Sequence, residues 1–175
     1  MQCPACANQL KQISVSEVQL DVCDGGCGGI WFDRFELTKF DEPREEAGLP
    51  LLELKRDPKI SVDYQKRIKC PKCTDSILMR HFYSVKRKVE VDVCPTCAGT
   101  WLDVGELRTI RSEYATDAER RDAAEACFDE MFSNPIAEVR NQGELGKANV
   151  RRIMNIFRFI CPSYYIPGKQ PWGAY

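Results

Sequence analysis

Apolar and polar residues alternate along two short stretches of this chain. In the first, Ile13, Val15, Val18, Leu20 and Val22 are spaced by polar residues, with one slip at Ser16-Glu17. In the second, Val89, Val91 and Val93 alternate strictly. A period of two puts one face of a strand against a core, so each stretch predicts a β-hairpin. The period then changes. Leu37 and Phe40 lie three apart, and Leu107, Ile110 and Tyr114 follow at helical spacing. Asp33-x-x-Glu36 and Asp103-x-x-Glu106 precede them in the form of a capping box, with Asp in the N-cap role. A short helix is therefore predicted after each hairpin.

Beyond Tyr114 the pattern is helical throughout. Thr116-x-x-Glu119 predicts the start of an acidic helix whose apolar end carries Phe128, Met131 and Phe132, stopping at Asn134-Pro135. Ala123, Ala124, Ala126 and Cys127 are expected to face a core. Gly143 and Gly146 interrupt, and a third helix is predicted over 147–160, apolar at Val150, Ile153, Met154, Phe157 and Ile160. The tail over 161–175 is rich in aromatics and proline. Between the two hairpin units, Pro43, Pro50 and Pro58 exclude one long helix. There Leu49, Leu51, Leu52 and Leu54 are expected to dock on a neighbouring surface, and Ile60, Val62 and Tyr64 to form an extra strand.

The cysteines change this picture most. Eight of the ten fall into close pairs, Cys3/Cys6, Cys23/Cys27, Cys70/Cys73 and Cys94/Cys97, leaving Cys127 and Cys161 apart. Each hairpin joins two pairs, which is the arrangement four tetrahedral thiolate ligands require. Two structural Zn²⁺ ions are the expected cofactors, with iron as the competing metal for four thiolates. A disulfide framework is the other reading of a cysteine-rich chain, but paired spacing and the absence of a leader pattern point to a reducing, cytoplasmic compartment. Pro4, Pro71 and Pro95 pre-set three of the four turns. The fourth, Cys23-Asp-Gly-Gly-Cys27, is one residue longer, and Gly25 and Gly26 are expected to absorb the difference with positive φ. Gly29 and Gly99 allow close backbone approach. Trp31 and Trp101, each four residues past the last cysteine, are expected to pack between the hairpin and helix of their own unit.

The fold class expected is a small zinc-dependent α+β protein, with two tandem zinc-ribbon-like modules followed by a helical C-terminal region. The boundaries are 1–40 for the first module, 41–69 for a linker, 70–115 for the second module, 116–160 for the helices and 161–175 for the tail.

The run Cys70-Pro-Lys-Cys73, then Cys94-Pro-Thr-Cys97-Ala-Gly99-Thr-Trp101-Leu-Asp103-Val-Gly105-Glu106-Leu107, resembles the transcription-factor-IIB-type zinc-finger domain family. The first copy departs from the pattern by its longer cysteine turn, by Phe32 for Leu and by Phe35 for Gly. The resemblance covers about half of the chain. It implies a zinc-ribbon-like module and, by the family's name, association with nucleic acid or the transcription machinery.

Charge and chemistry narrow the function. The formal net charge of −1 becomes −5 once eight thiolates hold two Zn²⁺, a poor start for binding a phosphate backbone. Residues 116–146 carry −5, whereas 147–175 carry +5 with no acid. A closed four-cysteine shell leaves no open position to activate water. His81 is the only histidine, which leaves little material for a catalytic triad, so no enzyme is expected. The longest apolar stretch is too short to cross a bilayer. Two functions stay open. One is an adaptor that binds a protein partner through its modules and the arm from Lys147 to Tyr175, whose Tyr164, Tyr165 and Trp172 are residue types favoured at interfaces. The other is a nucleic-acid-binding protein using Lys86, Arg87, Lys88, Arg108, Arg111 and that arm.

Overall fold

The computed structural model describes residues 1–42, 46–73 and 75–139, with side chains as far as Met131. The third helix, the tail, Cys161 and the arm over 147–175 lie outside the described residues.

Both hairpins form as expected. β1 (Lys11–Val15) pairs with β2 (Val18–Val22), and β4 (Met79–Phe82) with β5 (Glu90–Val93), all antiparallel. The slip at Ser16-Glu17 is the first turn itself. Both residues have positive φ, 48° and 68°, which gives a two-residue link the twist of its flanking strands.

Two further strands carry no periodic signal because they are only three residues long and wholly buried. β3 (Ile30–Phe32) returns against β2, and β6 (Thr100–Leu102) against β5. They then pair with each other, Ile30 opposite Leu102, Trp31 opposite Trp101 and Phe32 opposite Thr100. The result is one six-stranded antiparallel sheet of order β1-β2-β3-β6-β5-β4. This order reads the same from either edge, and its centre is the Trp31–Trp101 pair.

Alternation along the strands sorts the side chains onto two faces. One face carries Val18, Leu20, Val22, Ile30, Phe32, Val91 and Leu102, all buried in a single apolar core. On the other, Asp21 neighbours Trp31 and Asp92 neighbours Trp101, and the tryptophans pack in a second cluster together with the cysteines, Leu10, Ile68 and Leu78.

What covers the apolar face differs between the repeats. After β6 comes α1 (Glu106–Glu113), which buries Leu107 and Ile110 as predicted, with Tyr114 buried at its end. After β3 there is no α-helix among the described residues, only short 3-10 turns: Leu37–Lys39, with Leu37 and Phe40 buried, then Glu46–Gly48 and Pro50–Glu53 in the connector. The shortness of the first has a local cause: the chain turns at Phe40 so that Asp41 enters a buried polar network, and Pro43 disfavours helix at Glu42.

The connector corrects one expectation and supports another. Ile60, Val62 and Tyr64 form no strand; Ile60 and Val62 instead pack, partly buried, on the cysteine cluster. Of the leucines, Leu51 enters the main core, Leu52 and Leu54 pack against it and Leu49 stays exposed. A parallel bridge joins Arg56 to Gly26, so the connector is hydrogen-bonded onto the first repeat.

α2 (Asp117–Val139) starts as predicted, the Thr116 hydroxyl accepting the Glu119 N–H at 3.2 Å. It does not stop at Asn134-Pro135 but runs on to Val139; the backbone forgoes the one hydrogen bond that proline cannot donate. Ala124 is buried, Ala123 and Cys127 are half-buried, and Ala126 is exposed rather than core-facing. Arg120 fastens α2 to both repeats. It donates to Asp41 (2.5 Å) and to the Tyr83 hydroxyl (2.6 Å), pairs with Asp117, and Tyr83 donates in turn to Asp41 (2.5 Å).

Candidate metal centres

The structure gathers the eight paired cysteines into two groups of four, Cys3, Cys6, Cys23 and Cys27, and Cys70, Cys73, Cys94 and Cys97. Within each group all Sγ atoms lie within 4.8 Å of one another. The near contacts are 3.4 Å for Cys3–Cys27, 3.5 Å for Cys6–Cys23 and 3.7 Å for Cys70–Cys97. A tetrahedral shell with Zn–S bonds of about 2.3 Å needs Sγ separations of about 3.8 Å, so both groups fit the ion with small adjustments. His81 joins neither group and lies half-buried in β4.

Local backbone explains how each pair is presented. After Cys6 and Cys97 the chain takes a left-handed residue, Ala7 (φ 64°) and Ala98 (φ 57°), whose amides return to the carbonyls of Cys3 and Cys94. Backbone N–H groups also point at sulfur: Cys73 to Cys70 (3.2 Å), Cys27 to Cys23 (3.4 Å) and Cys97 to Cys94 (3.5 Å). Such donors favour the thiolate.

The longer turn works differently from the expectation. Gly25 does adopt positive φ (75°), but Gly26 does not; what it needs is the absence of a side chain, since a Cβ would lie 2.4 Å from the Cys23 Sγ. The extra loop is held from outside by the connector. Gly25 N–H donates to Lys55, Asp57 N–H to Gly26, and Lys55 N–H to the Asp24 carboxylate.

The electrostatics of the thiols also suit a dication. In the first group, the hydrogen bond shared with Cys27 pushes the Cys3 thiol far up while bringing Cys27 down to about 6, and burial raises Cys23 to about 11. In the second, burial lifts Cys70 far up. Cys94 is brought down to about 7 despite its burial, by the N–H groups of Cys97 and Thr96 and the neighbouring thiols. Binding a doubly charged ion requires these thiols to give up their protons, so metal affinity at both groups rises with pH.

Trp31 and Trp101 are buried to within 1% of their surface, but not between the hairpin and helix of their own repeat. Each ring crosses the β3–β6 seam. A Cβ on Gly99 would lie 2.2 Å from the Trp31 ring, and one on Gly29 would lie 2.2 Å from that of Trp101. Close approach at these glycines was expected; that the approaching group comes from the other repeat was not.

The capping boxes are half-formed. Glu36 and Glu106 each accept the backbone N–H three residues earlier, at 2.7 Å. Asp33 and Asp103, however, cap no helix: each accepts the indole N–H of its own tryptophan, at 3.2 and 2.9 Å. The N-cap of α1 is Gly105, at φ 86°. Burial pushes the Glu106 carboxyl up to about 8.

Two segments, residues 2–42 and 69–113, match the model of the transcription factor zinc-finger family. Both are copies of that domain. Together they make this a tandem zinc-ribbon chain, and two four-cysteine clusters in such a family fit two structural zinc ions. No curated protein and no solved structure matches the chain. No helix among the described residues is long and apolar enough to cross a membrane.

The cations singled out for nucleic acid are in part already engaged. Arg111 is 4% exposed and donates to the Phe40 carbonyl at 2.6 Å. Arg108 reaches the Leu52 carbonyl. Lys86 lies 3.7 Å from the Tyr114 ring centroid and donates to the Glu113 carbonyl. Lys88 remains exposed, as does Arg87, whose guanidinium sits over Phe82.

Proposed function

We propose that this zinc-ribbon protein is a non-catalytic cytoplasmic adaptor that binds a protein partner. Cys3, Cys6, Cys23 and Cys27 hold one zinc ion, Cys70, Cys73, Cys94 and Cys97 the other, and residues 147–175 anchor the partner. The observation that carries this reading is the closed set of four thiols at each centre, largely buried and with no further donor among the described residues, fused into one sheet. Such a shell supplies rigidity rather than an open coordination site. The reading is strengthened by three of the cations singled out for nucleic acid, since Arg111, Arg108 and Lys86 each donate to a backbone carbonyl of the chain itself.

The test pairs two measurements on the full chain. On heparin or nucleic-acid resin the protein should elute at low salt, and affinity capture should recover a protein partner that survives nuclease treatment. Truncation after Gly146 should abolish that recovery while leaving both centres metallated. Retention on the resin to moderate salt would favour the nucleic-acid reading, and a truncated chain that keeps its partner would remove the role given to the arm.

A further inference from the structure

We propose that each tryptophan is a positioning residue for the metal site of the opposite repeat, so that filling one zinc site strengthens the other. The ring of Trp31 lies on Gly99, whose carbonyl accepts the Cys94 N–H at 2.8 Å. The ring of Trp101 lies on Gly29, whose carbonyl accepts the Cys23 N–H at 2.9 Å. Those two hydrogen bonds close the turns that present Cys94/Cys97 and Cys23/Cys27. A tryptophan from one repeat therefore clamps the backbone residue on which a metal turn of the other repeat depends.

The ring is held from its own side as well. Asp33 fixes the Trp31 indole and Asp103 that of Trp101. Asp33 also serves the opposite repeat. Lys72, which stands between Cys70 and Cys73, donates to both its oxygens at 3.0 and 2.8 Å. Trp31 and Asp33 thus touch both turns of the second site. Ala5 occupies the matching place between Cys3 and Cys6, so Asp103 has no lysine there to accept from.

This contiguity is the route by which the proposed coupling would run. Metal at the first site orders the Cys23–Cys27 turn, from which β3 departs with Trp31 and Asp33. Both then arrive already placed on the second site. By thermodynamic reciprocity the second site must strengthen the first by the same factor. Were the rings only filling space, their replacement would weaken both sites alike, or the nearer one more.

The experiment uses the full chain, with zinc alone as the probe. At one equivalent of zinc per chain, native mass spectrometry of independent, equal sites would show about half of the molecules with a single ion. Coupling predicts a one-zinc share below about a quarter, with two-zinc and zinc-free chains dominating. Trp31→Phe should then raise the one-zinc share, and alkylation with peptide mapping should find that ion in the first site, with Cys70, Cys73, Cys94 and Cys97 labelled. Trp101→Phe should give the reverse. A statistical one-zinc share in the unaltered chain overturns the proposal. So does a Trp31→Phe species that keeps the second site or loses both equally. The inference rests on the eight-cysteine ligand set, and the two are separable: fewer than two zinc ions at saturation would overturn both, whereas two ions loading independently would overturn this one alone. If either variant fails to fold, the titration of the unaltered chain decides.

Discussion

The two repeats share their central strands, tryptophans, glycines and half-boxes, yet differ in nearly everything around them. The second carries an eight-residue helix over its part of the core; the first is followed only by short 3-10 turns. The first has the longer cysteine turn, and that turn receives the connector. At the left-handed position before the helix the second repeat has Gly105 (φ 86°), while the first forces Phe35 into the same conformation (φ 67°) and leaves it 60% exposed. The difference teaches which contacts the architecture depends on. The strand pairing and the tryptophan-on-glycine contacts that cross the seam are duplicated, whereas the Lys72–Asp33 contact crosses it from one side only. What differs is the cover of the apolar face, the length of one cysteine turn and the residue at the left-handed position.

Six substitutions would break or sharpen this comparison. Cys94→Ser removes one of the four thiols proposed to hold the second ion, and because apparent zinc binding in small zinc peptides is worth roughly 10–16 kcal/mol of folding free energy, the second repeat should unfold. Zinc counting by native mass spectrometry and the amide NMR spectrum over 70–107 would check it; two retained ions would contradict it. Arg120→Met strikes the point where α2 joins the repeats. It strands Asp41, whose side chain is 1% exposed, and should cost about 3–5 kcal/mol in denaturant unfolding. The matched pair Gly29→Ala and Gly99→Ala tests the symmetry directly. Each methyl would meet a tryptophan ring, and the expected loss is about 1–3 kcal/mol for either. Clearly unequal values would show that the two halves of the seam are not equivalent. The smallest effect belongs to the divergent position. Phe35→Gly relieves left-handed strain of about 1–2 kcal/mol, offset in part by the entropy glycine brings, for a net gain of up to about 1 kcal/mol. Gly105→Phe should be destabilising, and thermal unfolding of the two variants would read the contrast.

The hairpins, the cysteine groups and α1 were legible because each leaves a local signature: alternation, pair spacing, and Leu107, Ile110 and Tyr114 at helical intervals. The seam was not. Ile30-Trp31-Phe32 and Thr100-Trp101-Leu102 are too short to show a period, and their pairing joins residues seventy positions apart. The aspartates misled for a related reason. Asp33 and Asp103 have the spacing of N-caps, but an indole N–H buried two residues earlier competes for the same carboxylate. Arg111 looked like a surface cation on a helix; only the approach of Phe40 and Gly48 to α1 buries it. Asn134-Pro135 looked like a terminus, yet a proline that loses one hydrogen bond does not always end a helix.

The antiparallel pairing of β3 with β6 also imposes an order on synthesis. The first repeat leaves the ribosome with β3 as an open edge and Trp31 without the glycine it will cover. At roughly 5–20 residues per second, the seventy residues needed to reach Trp101 take on the order of 4–14 seconds. Throughout that interval a neighbouring nascent chain offers the same edge. Until its own β6 emerges, β3 of one chain presents an unpaired edge that the β6 of another could occupy. The connector and the second hairpin together set how long that edge waits for its own partner.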